Sequence, residues 1–78
     1  MNIFIIGGTS GIGLALASYY HLQGNRVGVC GRDLQKLTDE SRFEKYQADV
    51  TNIVQLQNVI QQFAGERALS LLINCAGS

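Results

Sequence analysis

Four glycines fall within seven residues near the start of the chain: Gly7, Gly8, Gly11 and Gly13. They separate an apolar run from a stretch with helical spacing. The run, residues 2–6, is rich in β-branched and aromatic side chains and suits a strand buried on both faces. After the glycines, Ile12, Ala15, Leu16, Tyr19 and Leu22 recur at helical spacing, and Gly24 stands where a helix C-cap favours positive φ. A strand that turns through glycines into a helix leaves the first N–H groups of that helix unpaired at the positive end of its dipole. Such a terminus holds an anion, most often a phosphate. Glycine also serves tight turns that bind nothing, so the loop alone leaves both readings open. A signal peptide is not expected, because no Lys or Arg precedes the run and the glycines break it. The same interruptions exclude a membrane span, which needs about 20 predominantly apolar residues.

The alternation of strand and helix continues along the chain. Residues 26–30 read as a second strand, and Gly28 inside it has no explanation in the pattern. Asp33 is placed to cap a short second helix with Leu34 and Leu37 on its buried side. Residues 43–48 read as a third strand. Thr51 is placed to cap a third helix whose buried face is Ile53, Leu56, Val59, Ile60 and Phe63, with Gly65 ending it. Residues 69–74 form a fourth, apolar strand. The order βαβαβαβ predicts an α/β fold with a parallel sheet and helices on both faces. With right-handed crossovers and doubly wound topology, the strands lie in the order 3-2-1-4. The first two helices then cover one face and the third covers the other.

The chain of 78 residues is long enough for one small core, and its hydrophobic share of 46% reads as globular. Zero net charge argues against nucleic acid as a partner. Cys30, Cys75 and His21 have no metal-ligand spacing, so no metal site is expected. In the order 3-2-1-4 the strands that carry the two cysteines are separated by the first, about 9–10 Å apart. A disulfide needs Cα atoms within about 7 Å, so two reduced thiols in a cytoplasmic protein are expected.

Four segments, IIGGTSGIG, VGVCGRD, ADVTN and LLINCAG, occur in this order and span nearly the whole chain. Together they resemble the short-chain dehydrogenase/reductase family. The resemblance implies a Rossmann-type doubly wound sheet and a nicotinamide dinucleotide as ligand. Gly7 would allow the sharp exit from the strand, Gly11 the close approach of the pyrophosphate, and Gly13 the close packing of the helix. The resemblance assigns Thr9, Ser10 and the backbone at Ile12 to the phosphate region. It assigns Asp49 and the amide of Val50 to adenine, and Asn74, Ala76 and Gly77 to the wall beside adenosine. Asp49 can equally help Thr51 cap the following helix, and the two roles are compatible. Two positions depart from the family pattern. Ile6 stands where the loop commonly begins with Thr, and Cys75 stands where N-N-A-G has its second Asn.

The residue that ends the second strand selects the ribose: a carboxylate hydrogen-bonds the 2′-hydroxyl of NAD, and an arginine accommodates the 2′-phosphate of NADP. Gly31 occupies the place of that carboxylate and Arg32 follows it, so NADP(H) is expected rather than NAD. The competing reading is a solvated arginine beside Asp33. Hydride transfer in the family uses a Tyr-x-x-x-Lys pair, and none of Tyr19, Tyr20 or Tyr46 has a lysine four residues later. No catalytic residue is therefore expected in residues 1–78. The reading is the N-terminal cofactor-binding part of one dinucleotide-binding domain, with the catalytic half elsewhere in a homo-oligomeric parent that acts on an alcohol or carbonyl. Its alternative is a truncated nucleotide-binding module without chemistry. In residues 1–78 alone, without a fifth strand beside it, the fourth strand would be an unpaired apolar edge.

Overall fold

The computed structural model describes residues 1–7, 11–35, 40–65 and 67–75. Its elements are β1 (Asn2–Ile6), α1 (Gly11–Leu22), β2 (Arg26–Gly31), β3 (Glu44–Gln47), α2 (Ile53–Ala64) and β4 (Leu71–Asn74). The four strands form one sheet in the order β3-β2-β1-β4, and every pair is parallel. This is the expected order. Ile3 lies opposite Val27 on one side and Leu71 on the other, so β1 is the central strand of the switch.

Alternation along the strands divides the core in two. Ile3, Ile5, Val27 and Val29 face α1, together with Ala17 and Phe43, and Leu14, Leu16 and Tyr20 pack against them. Phe4, Ile6 and Cys30 face α2, with Ala48, Val59 and Phe63. The two thiols are free. Cys30 belongs to the α2 side, whereas Cys75 packs on the α1 side.

Gly28 now has a reason. A Cβ there would stand 2.5 Å from Cδ1 of Phe63 and 2.8 Å from Cδ1 of Phe4. The bare backbone is the floor on which the Phe63 ring rests. Phe4 closes one flank, with ring centroids 5.1 Å apart, and Tyr46 stands edge-on to Phe63 at 6.4 Å. The Arg26 guanidinium lies over the ring, its Cζ 4.1 Å from the centroid. Arg26 also binds Glu44 through Nε and through Nη2, the latter at 2.6 Å from Oε1, and the Tyr46 hydroxyl donates to the same oxygen at 3.2 Å.

Several expectations shift. The buried side of α1 comprises Gly13, Leu16, Ala17 and Tyr20, which is the set Ile12, Ala15, Leu16 and Tyr19 moved by one residue, about 100° around the helix. Ile12 and Leu22 are 76% and 79% exposed. The reason is close approach: small residues face the sheet, and large side chains flank it or point away. In α2, Val59 and Phe63 are buried and Leu56 and Ile60 pack beside them, while Ile53 is exposed. The N-cap of α2 is Asn52, whose side chain accepts from the N–H of Val54 and Gln55; Thr51 bonds Asp49 instead. Asp33 accepts from the N–H of Gln35 at 2.9 Å and Leu34 is half-buried. The rest of the expected second helix, including Leu37, lies outside the described residues. β3 is shorter than residues 43–48, although Phe43 and Ala48 at its two ends are both buried. β4 begins at Leu71 rather than residue 69. Leu71 and Leu72 are exposed on this edge strand, as expected.

Gly28→Ala is expected to lower the unfolding free energy of the whole protein by about 1–3 kcal/mol, the usual cost of overpacking a filled core. Chemical denaturation measures it, and Phe63→Leu in the same background should return part of the loss.

Candidate functional site

Parallel strands bring all their carboxyl ends to one edge of the sheet, and ligands of such sheets bind where the strand order reverses. Here that point lies beside β1, because β2 and β4 leave it in opposite directions. Gly7 follows β1 with φ 82° and Gly11 opens α1 with φ 60°. A Cβ at Gly11 would meet nothing within 4 Å, so the backbone conformation, not lack of room, selects glycine there. The ladder holds the rim together: Gly7 donates to the Cys30 carbonyl at 2.8 Å, Ala48 to Gly31 at 3.0 Å and Cys75 to Ile6 at 2.8 Å. Between Gly7 and Gly11 the residues Thr9 and Ser10 lie outside the described residues, as do Ala76 and Gly77 after β4.

The other site residues named from the sequence occupy this edge. Ile12 is exposed in the first turn of α1, and Gly13 is buried behind it. Arg32 follows β2 with its side chain 75% exposed, and its carbonyl accepts from Gln47 Nε2 at 3.1 Å. Asp49 and Val50 follow β3. Val50 packs into the α2 side of the core. Asn74 ends β4 and is exposed, and Cys75 is half-buried after it.

Asp49 collects three hydrogen bonds on one oxygen. Its Oδ1 accepts from Thr51 Oγ1 at 2.7 Å, from the Thr51 N–H at 3.0 Å and from Arg32 Nη2 at 3.5 Å. Among the described residues no donor reaches Oδ2. The Asp49 N–H donates to Gln55 Oε1 at 2.8 Å, which ties this corner to α2. The Thr51 hydroxyl, then its N–H, and to a lesser degree Arg32 hold the Asp49 carboxyl below the usual carboxylate range. In contrast, burial pushes the Cys30 thiol up, only partly offset by the Gly7 N–H, so this thiol is inert rather than nucleophilic. Gln47 and Gln55 were not singled out from the sequence. An amide reaching a neighbouring turn has no periodic signal, and only the pairing of Gly31 with Gln47 reveals it. A shallow cavity on α2, lined by Gln57, Asn58, Ile60, Gln61 and Ala64, shares no residue with this rim. Among the described residues no cluster of His, Cys, Asp or Glu could hold a metal ion, and no helix is long and apolar enough to cross a membrane.

The sequence profile of a family described as short chain dehydrogenase matches residues 1–78. The chain belongs to the short-chain dehydrogenase family. Solved structures agree in fold. A short chain dehydrogenase from Bacillus anthracis is 29% identical with a TM-score of 0.86, over 99% of this chain and 34% of that one. A serine dehydrogenase from Escherichia coli is 27% identical with a TM-score of 0.76, over 92% of this chain and 36% of that one. An actinorhodin polyketide ketoreductase crystallised with NADPH has a TM-score of 0.86 over 99% of this chain and 33% of its own; at 24% identity it speaks for the fold alone. No curated protein is significantly similar to the chain. The 78 residues span about a third of the length of these solved relatives.

Because the folded Asp49 titrates below its unfolded value, its bonds stabilise the protein above the ordinary carboxylate range. That contribution is lost as pH falls through the depressed value. Thr51→Val removes the hydroxyl donor and keeps the N–H. It should move the Asp49 titration, followed by carboxyl 13C NMR, part of the way back towards the ordinary range.

Proposed function

We propose that these residues form the NADP(H)-binding part of a short-chain oxidoreductase that transfers a hydride between the cofactor and an alcohol or carbonyl. The observation that carries the reading is the turn from β1 through Gly7 and Gly11 into α1, at the reversal of strand order. The residues present fit such a cofactor. Gly7, Gly11 and Gly13, with Thr9, Ser10 and the amide of Ile12, would take its diphosphate at the positive end of α1. Asp49 offers an oxygen, Oδ2, that no described residue engages; it would accept from the adenine amino group beside the Val50 amide. Asn74, Ala76 and Gly77 would line the adenosine. Arg32 is exposed at the end of β2, and Gly31 brings no carboxylate to repel a 2′-phosphate. NADP is therefore preferred to NAD.

When bound, the nicotinamide ring would supply the hydride donor or acceptor. The contribution of this chain is to hold and orient the adenosine and diphosphate end. It has no Tyr-x-x-x-Lys pair to move the accompanying proton, so that step and the small-molecule substrate belong to other residues of the whole protein, a cytoplasmic homo-oligomer on this reading. The missing pair also favours a second reading, a nucleotide-binding module without chemistry. Turnover of NADPH by the whole protein with carbonyl substrates separates the two.

Calorimetric titration with NADP+ and NAD+ tests the cofactor assignment. Arg32→Ala should reduce the preference for NADP+ by about tenfold or more, the worth of a charge-assisted phosphate contact. An unchanged ratio overturns the assignment.

A further inference from the structure

Arg32 and Asp49 stand on neighbouring strand ends, and their separation is set by the sheet. Gly31 pairs with Gln47, Ala48 donates to the Gly31 carbonyl, and Gln47 holds the Arg32 carbonyl. The two side chains differ in freedom. Asp49 Oδ1 is pinned by both donors of Thr51, and the Asp49 N–H is fixed to Gln55. The Arg32 side chain is 75% exposed and meets Oδ1 through one nitrogen at 3.5 Å. A single long contact orders a guanidinium far less than the bidentate geometry that carboxylates favour. As a scaffold for Arg32 this carboxylate is weak. As a negative charge beside it, the carboxylate is permanent.

We propose that Asp49 is a second selectivity residue: a built-in anion that shares the Arg32 guanidinium and so restrains its grip on a 2′-phosphate. The inference rests on the NADP reading above. An arriving phosphate displaces the exposed, singly bonded partner, Arg32, from Oδ1, while Asp49 stays where Thr51 holds it. The phosphate thus meets a guanidinium already facing one carboxylate, and it meets the charge of that carboxylate as well. A ligand with a free 2′-hydroxyl incurs neither cost. Asp49 narrows the preference that Arg32 creates.

The test compares 2′,5′-ADP with 5′-AMP by calorimetry on the whole protein, so that the 2′-phosphate is the only difference between probes. Asp49→Asn keeps an acceptor for Thr51 and removes the charge. It should raise the 2′,5′-ADP over 5′-AMP affinity ratio about two- to fivefold, the scale of an exposed ion pair. The gain should shrink at high salt and in an Arg32→Ala background. Asp49→Ser, which also leaves an oxygen acceptor, should act in the same direction if the Asn variant folds poorly. Both probes carry the adenine that Asp49 would meet, so the ratio cancels any loss at that contact, and circular dichroism reports that each variant is folded. A ratio that stays or falls in the Asp49 variants, while Arg32→Ala lowers it, overturns this inference alone. An Arg32→Ala ratio equal to wild type overturns the NADP reading itself.

Discussion

The contact between the Phe63 ring and the bare backbone of Gly28 decides where α2 lies, and the rim depends on where α2 lies. Phe63 is the deepest side chain of that helix, and its floor admits no Cβ. Once the ring is seated between Phe4 and Tyr46, the helix axis is fixed across β1 and β3. Its first turn then falls at the carboxyl edge of the sheet. Asn52 caps that turn, and Gln55 reaches back to the Asp49 N–H. An aromatic anchor at mid-sheet thus bears on the position of a carboxylate at the carboxyl edge.

Legibility follows the physics of each signal. β1 was readable because four consecutive residues of strand character, Ile3, Phe4, Ile5 and Ile6, meet a glycine turn. The order β3-β2-β1-β4 was readable because crossover handedness leaves few alternatives. The buried face of α1 was not, because a hydrophobic pattern weights Ile12, Tyr19 and Leu22 above Gly13 and Ala17. A helix lying close on a sheet needs the reverse, small residues inward and bulk outward. The N-cap of α2 slipped by one residue, since Thr51 and Asn52 are both good caps and Asp49 claims the first of them. The identity of the family was legible from four ordered segments. The rim hydrogen bonds of Gln47 and Gln55 were not, because they depend on register between strands and on helix placement.

Two of the arginine–carboxylate pairs among the described residues, one at each end of the strands, are of opposite character. Arg26 grips Glu44 through two nitrogens and lies over the Phe63 ring, where packing and the ring face add about 0.5–2 kcal/mol to the charge contact. Exchanging its partner would unpack the anchor. Arg32 touches Asp49 through one nitrogen at 3.5 Å on the surface, and exposed pairs of this kind contribute little to stability. The first is built for stability. The second can be opened at little cost.

The same division of labour explains the two departures from the family pattern. Ile6, where the loop commonly begins with Thr, keeps only 6% of its surface exposed and sits in the α2-side core with Phe4 and Cys30. A hydroxyl there would need a partner that this apolar cluster does not provide. Cys75, where the pattern has Asn, packs against the α1-side core while its N–H completes the ladder to Ile6. Both positions exchange a polar rim group for apolar contact, and both leave the backbone amides of the ladder where they were. The edge of the sheet keeps its donor geometry because the main chain supplies it, and the side chains beneath are free to serve the core.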